Sequence, residues 1–210
     1  VSRESSLTLD RGLALLQAVA DAGGEAATIS ELAATIGTSR PAVYRLLVPL
    51  AERGLVWRDG SKVRLGAGVL RLAGQMLPQL REAAQPVLRE LAEAGGTTAH
   101  LSVAEGDQLQ VIAVAEPSWT ALHVAYRIGS RHPVSRGAAG KALALRARGR
   151  GWAVASGEPQ PGTYGLAAPV RGVLGLRASI GVVSLEPLEH ATVGPRVVEA
   201  AAALATVLKG

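Results

Sequence analysis

The sequence predicts a mixed α+β chain in two parts joined by a long helix, and three observations predict it. Apolar residues recur at helical spacing in three short runs before residue 50. The period then switches to alternation around an Asp-Gly pair. Beyond Gly95-Gly96, strand-like stretches separated by turn residues take over. A length of 210 residues allows one large domain or two ordinary ones, and 48% hydrophobic content supports real cores. Phe is absent, so those cores rest on Leu, Val and Ala, with three Trp and three Tyr as bulk.

In "LTLDRGLALLQAVAD", residues 7–21, Leu9, Leu13, Leu16 and Ala20 share one helical face. Asp10 or Thr8 can cap that helix, and Gly23-Gly24 can stop it. Thr28 or Ser30 opens a second helix with Leu32, Ala33 and Ile36 inward and Gly37 after its last turn. Thr38 or Ser39 opens a third, with Pro41 in the first turn, where its missing N–H costs least. Val43, Leu46, Leu47 and Leu50 line its core side, and Pro49 predicts a kink near its end. "GLVWRDGSKVRLG" then alternates around Asp59-Gly60, a hairpin signal.

Helix, helix, tight turn, helix, hairpin is the order of a winged helix-turn-helix, here residues 1–66. Such a turn leaves the third helix with one buried and one presented face. On the presented face lie Ser39, Arg40, Ala42, Tyr44, Arg45 and Pro49. Short side chains near a helix start allow close approach to base edges, while Arg reads guanine or holds phosphate. Thr28, Arg58 and Lys62 complete the candidate DNA contacts. The bland alternative is an αα-hairpin with a solvated arginine face.

Charge supports the first reading without deciding it. Residues 40–71 carry Arg40, Arg45, Arg53, Arg58, Lys62, Arg64 and Arg71 against Glu52 and Asp59, a local excess equal to the +5 of the whole chain. A second run, Arg127 to Arg150, has seven bases and no acid.

Residues 67–94 form a long helical stretch, broken or bent at Pro78 and Pro86, which serves as a linker. Thr97–Val103 and Gln108–Val114 flank "EGD" as a hairpin, and residues 121–126 add a strand. Ala139–Arg148 reads as a helix. "TYGLAAPVRGVLGLRASIGVVSL" gives two strands around Gly172 or Gly175, and Thr192–Lys209 a closing helix. Antiparallel strands with helices on one side predict an α+β domain over 95–210.

Several chemistries are excluded. With no Cys there are no disulfides, thiolate metal sites or Cys nucleophiles, and four scattered His do not make a metal centre. "SRGAAGKAL" is not a phosphate-binding loop. Ser135 stands where the P-loop pattern needs its first Gly, and Ala142 follows Lys141 in place of Ser or Thr. Ser135, Ser156 and Ser184 lack a nucleophile-elbow context, and no paired carboxylates appear at site spacing. The expectation is a non-enzyme without cofactor. Apolar runs such as 200–205 are too short to span a bilayer and no charged-then-apolar segment opens the chain, so a cytoplasmic location is expected.

The chain resembles the IclR family of bacterial transcription regulators. "SLTLDRGLALLQAVA", "TISELAATIGTSRPAVYRLLVPLAERGLV" and "RLGAGVLRLAG" are similar to the family's DNA-binding domain. "GTTAHLSVAEGDQLQVIAVAE", "YRIGSRHPVSRGAAGKALAL", "GWAVASGE" and "GLAAPVRG" follow the order of landmarks in its effector domain. The resemblance implies a homodimer or dimer of dimers on a pseudo-palindromic double-stranded operator, and a GAF-like antiparallel sheet with helices that binds a small organic acid. By family position, Ala138, Ala139 and Gly140 are candidate effector contacts, because their turn opens a helix whose free N–H groups favour an anion. Close helix-to-sheet packing is the alternative for that stretch. Ala167 and Ala168 are candidate pocket lining, and His123 and Ser184 complete the set, although a strand histidine is more often structural. The family's insert between residues 146 and 151 is missing, and Ala155 and Ser156 stand where a carboxylate is common. The resemblance therefore implies a pocket that is either open and shallow or collapsed. A C-terminal domain that only dimerises is the rival reading, and a GAF-like enzyme a more distant one.

Overall fold

The computed structural model describes residues 6–120, 123–146 and 149–209. They form two compact units, Val1–Met76 and Leu77–Gly210. In the first, the order is α1 (Leu7–Asp21), β1 (Ala27–Thr28), α2 (Ile29–Thr35), α3 (Arg40–Glu52), β2 (Val56–Asp59) and β3 (Lys62–Leu65). Leu15 and Val19 of α1 meet Leu32, Val43, Leu47, Val56 and Val63 in one core. The predicted apolar face of α1 is therefore displaced: Leu9 and Leu13 remain 60% and 56% exposed. Ser6 caps α1, ahead of both residues the sequence suggested.

Local chemistry fixes the next two helix starts. The Thr28 hydroxyl accepts from the Glu31 N–H at 3.2 Å, and the Glu31 carboxylate accepts from the Thr28 N–H at 2.7 Å, a reciprocal capping box. These hydrogen bonds hold the Glu31 carboxyl below its ordinary pKa. Ser39 caps α3, which runs on through Pro49 to Glu52. The hairpin pairs Asp59 with Lys62 across Gly60 and Ser61. Val56 and Val63 point inward, which by strand alternation turns Lys62 and Arg64 outward. Two-residue β1 joins β3, giving the order β1-β3-β2.

Helix α4 (Gly68–Gly95) is continuous through Pro78 and Pro86, so of the expected break or bend it shows no break. It is followed by β4 (Thr98–Glu105), β5 (Gln108–Ala115), β6 (Arg131–Pro133), α5 (Gly137–Leu143), β7 (Ala153–Ser156), β8 (Tyr164–Val170), β9 (Ala178–Ser184) and α6 (His190–Val207). The six strands form one antiparallel sheet, β6-β5-β4-β9-β8-β7. Residues 123–126 form no strand, and residues 121–122 of that expected strand lie outside the described set. So does the 147–148 end of the helix expected to reach Arg148, whereas α5 stops at Leu143.

Helices cover both faces of this sheet, not one. Leu88, Leu91 and Ala92 of α4 and Val197, Ala201 and Leu204 of α6 pack on Leu101, Leu166, Ala168, Ile180 and Val182. On the opposite face, Ala138, Ala139 and Ala142 of α5 pack on Ala153, Ala155 and Ala167. Strand alternation explains the split: neighbours 167 and 168 must point to opposite sides. Very small residues let α5 approach closely, and a Cβ at Gly140 would fall on the Val134 carbonyl.

Candidate functional site

The N-terminal unit presents a bare cationic face. Arg40, Tyr44 and Arg45 stand exposed along α3, with Ala42 half-buried between them and the core. Arg58 on β2 lies over the Tyr44 ring, 5.3 Å from its centroid, so the hairpin and α3 share one surface. Lys62 and Arg64 are exposed on the neighbouring strand. Among the described residues, no carboxylate forms an ion pair with Arg40, Arg45, Arg58, Lys62 or Arg64. Thr28 and Ser39 sit at the starts of α2 and α3, but their hydroxyls already accept backbone N–H groups at 3.2 and 3.4 Å.

The second basic run behaves differently. Arg131 pairs with Glu105 at 2.9 Å and also donates to Gln110. Arg136 donates to the Pro159 carbonyl at 3.4 Å, and Lys141 pairs with Glu158 at 2.9 Å. Arg150 donates to the Trp152 carbonyl. Four of the run's seven bases are thus held within their own unit.

The effector residues named from the sequence do not form one site. Ala138 and Ala139 line a cleft with His100, Tyr126, His132 and Glu158. The cleft volume is only ≈ 10 Å³, about the space of one water. Ala167 is packed behind it, in the contact between α5 and the sheet, and Gly140 is buried against the Val134 backbone. Ala168 belongs to the other face, against α4 and α6, and cannot line the same cleft. His123 and Ser184 line a separate groove of ≈ 520 Å³ with Gly96, Thr98, Trp119 and Glu186. There His123 Nε2 lies 3.1 Å from Glu116.

Sequence reasoning missed the cleft's polar wall. His100 is 4% exposed, its Nδ1 lies 3.2 Å from Ser102 Oγ, and its ring is 4.8 Å from that of Tyr126. Burial, with a smaller repulsion from His132, lowers its pKa to about 4, so this imidazole is neutral at physiological pH. Burial likewise raises the Tyr126 pKa. A histidine in the middle of the uncharged strand stretch "TTAHLSVA" was the available signal. Among the described residues no cluster of three or more His, Asp or Glu could hold a metal ion, and no helix is long and apolar enough to cross a membrane.

Residues 8–60 match the IclR helix-turn-helix domain, and residues 77–147 match the C-terminal domain of the bacterial transcriptional regulator IclR. The chain belongs to the IclR family. That family consists of transcriptional regulators rather than enzymes. Its curated relatives include the HTH-type transcriptional regulator BhcR of Paracoccus denitrificans, 33% identical over 149 residues, covering 67% of this chain and 50% of that protein. The HTH-type transcriptional repressor AllR of Escherichia coli is 25% identical, covering 68% and 54%. This IclR-family chain thus spans about half the length of the curated relatives it matches. A crystal structure of an IclR regulator from Silicibacter is 26% identical with a TM-score of 0.55, covering 98% of this chain and 97% of that one. An IclR homologue from Microbacterium hydrocarbonoxydans, solved with 4-hydroxybenzoate, is 20% identical with a TM-score of 0.53, covering 96% and 99%; that likeness carries the fold alone.

Proposed function

We propose that this chain binds double-stranded DNA sequence-specifically through α3 and the β2–β3 wing, and that its C-terminal unit responds to a small organic acid. The observation that carries the first part is the unpaired cationic surface of Arg40, Arg45, Arg58, Lys62 and Arg64 beside a helix whose opening side chains are short. Cations left without carboxylates are available to replace counterions on phosphates. Arg45 in α3 reads base edges, while Lys62 on the wing holds backbone. Thr28 and Ser39 act mainly as caps that orient their helices.

The partner chain is a second copy. Leu7, Leu9 and Leu13 on α1, and Leu70 and Leu72 early in α4, are exposed apolar side chains. A dimer, or dimer of dimers, on a pseudo-palindromic operator gains the effective concentration of a second half-site. The test is a gel shift of duplex DNA flanking the coding gene. A specific, salt-sensitive complex is expected, and equal weak affinity for every fragment contradicts specific recognition.

The dimerisation-only reading of the C-terminal unit is favoured by one observation, the ≈ 10 Å³ cleft volume. The effector reading is favoured by the cleft's polar wall of His100, Tyr126 and His132, an unusual investment for a purely structural face. Thermal-shift screening separates them: stabilisation by small carboxylates supports an effector, and stabilisation only by aromatic or cationic compounds contradicts its anionic class.

A further inference from the structure

We propose that Tyr44 is a positioning residue for DNA binding. Its ring holds the Arg58 guanidinium on the α3 side of the wing, where Arg58 meets the phosphate strand bordering the groove that α3 enters. This inference rests on the DNA-binding reading of the same face.

The sheet register makes Arg58 an unusual residue for its place. It pairs with Val63 and lies two positions after Val56 in β2. Alternation therefore starts its side chain on the core side of the hairpin, with Val56 and Val63, which are 3% and 0% exposed. Val43 and Leu47 of α3 belong to that same core, so this side of the hairpin looks toward α3. An apolar residue would suit such a start. Arg58 is instead exposed, and its guanidinium ends over the Tyr44 ring, 5.3 Å from the centroid. Lys62 and Arg64 start from the opposite side, together with Trp57. Of these three wing cations, Arg58 is the one directed at α3.

Tyr44 is not spent on the core. Its neighbour Val43 is fully buried, whereas Tyr44 is 43% exposed on the presented face of α3. The contact it makes suits an anion-binding arginine. A ring attracts the cation without neutralising it, so the charge and the N–H donors stay available to a phosphate. Arg131 is the contrast, because Glu105 already supplies its counter-charge. A long side chain fixed in advance also loses less freedom when its partner arrives.

The location selects phosphate over base edges. A helix in the major groove, about 12 Å wide, has a phosphate strand along each border. The wing packs beside α3, so the junction marked by Tyr44 and Arg58 crosses such a border. A contact there fixes orientation and register on the duplex and reads no sequence.

The test uses the full chain and a generic DNA duplex, followed by fluorescence anisotropy across a salt series. The variants are Tyr44→Leu, Tyr44→Phe, Arg58→Gln and the Tyr44→Leu/Arg58→Gln pair. Arg58→Gln is expected to lower the slope of log K against log salt by about 0.9, one phosphate contact. Tyr44→Leu removes no charge, yet is expected to weaken binding about two- to fivefold, the reach of an exposed cation–π contact. In the Arg58→Gln background it adds nothing further, because it acts through Arg58. Tyr44→Phe keeps the ring and restores the affinity. A loss from Tyr44→Leu of equal size in both backgrounds, or a Tyr44→Phe variant as weak as Tyr44→Leu, overturns the proposal, since Tyr44 then touches DNA itself. Lys62→Gln separates this failure from failure of the DNA-binding face. If it lowers the slope while Tyr44→Leu and Arg58→Gln change nothing, the positioning role alone falls. If all three leave binding unchanged, the face falls with it. Where Tyr44→Leu does not fold, Tyr44→Gln takes its place with the same expected outcomes.

Discussion

Two basic stretches of this chain differ in how their cations are held. In the run from Arg40 to Arg64, Arg40, Arg45, Arg58, Lys62 and Arg64 are exposed, with Arg58 over the Tyr44 ring, and Arg53 donates to the Pro49 carbonyl. In the run from Arg127 to Arg150, Arg131, Arg136, Lys141 and Arg150 are each held by a carboxylate or a carbonyl of their own unit. A cation held by a neighbour has part of its charge and donors engaged, even where, as at Arg131 and Lys141, the side chain stays about half exposed. An unpaired one keeps both free. Charge counting alone could not choose between the two runs; pairing does. The candidate sites differ accordingly, one an open surface and the other a cleft filled by its own fold.

The comparison breaks first where it concerns stability. If the C-terminal unit is held by its packed layers, Leu101→Ala, at a fully buried position, costs about 2–5 kcal/mol in urea unfolding. Arg45→Ala, by contrast, changes unfolding by no more than about 0.5 kcal/mol. Its effect belongs to binding: operator affinity falls by about 1–3 kcal/mol if Arg45 contacts a base. A gel-shift series in which Arg45→Ala is neutral, or a melt in which it is severe, undoes the contrast.

The cleft side gives a pH prediction. His100 faces Ser102, Tyr126 and His132, and its folded pKa of about 4 lies below the ordinary histidine value. The unfolded chain therefore binds this proton first as pH falls. Stability from the neutral, buried ring is complete above the unfolded value near 6.5 and declines down to about 4. At about pH 5 the loss is about 2 kcal/mol, and His100→Asn flattens that limb of the pH–stability curve. An unchanged slope in the variant means that the ring is not the proton acceptor.

The smallest expected effect sharpens the other side. Thr28→Ala removes the capping box and costs about 1 kcal/mol of stability. If it weakens DNA binding by much more than it weakens folding, Thr28 contacts DNA directly in addition to capping α2.

How legible all this was depended on the range of the interactions. The winged unit could be read because its signals are local: Thr28 or Ser30 before one apolar run, Thr38 or Ser39 before Pro41, and Asp59-Gly60 between alternating strands. Leu15 and Val19 were missed as the core of α1 because "LALLQAVA" has apolar residues on nearly every face, so periodicity does not select the buried one. In the C-terminal unit, β6 and β7 are three and four residues long and earn strand geometry only from the neighbours they pair with. The assignment of Ala167 and Ala168 to one pocket failed on strand alternation, a rule that separates adjacent residues once the strand is known. The contacts of Glu158 with Gly137 and Lys141 were invisible because those partners lie 21 and 17 positions earlier and meet it only after the sheet has formed.

The most direct measurement is the salt dependence of binding to a generic DNA duplex for two triple variants that lose equal charge. One carries Arg40, Arg45 and Lys62 changed to Gln, and the other Arg131, Arg136 and Arg150 changed to Gln. The unpaired set is predicted to lower the slope of log K against log salt by about 2, at about 0.9 for each of the phosphate contacts of Arg40 and Lys62, while the paired set leaves it unchanged. Equal slopes for the two variants, or a larger loss from the second, would contradict the claim that the bare face of α3 and its wing is the surface that meets DNA.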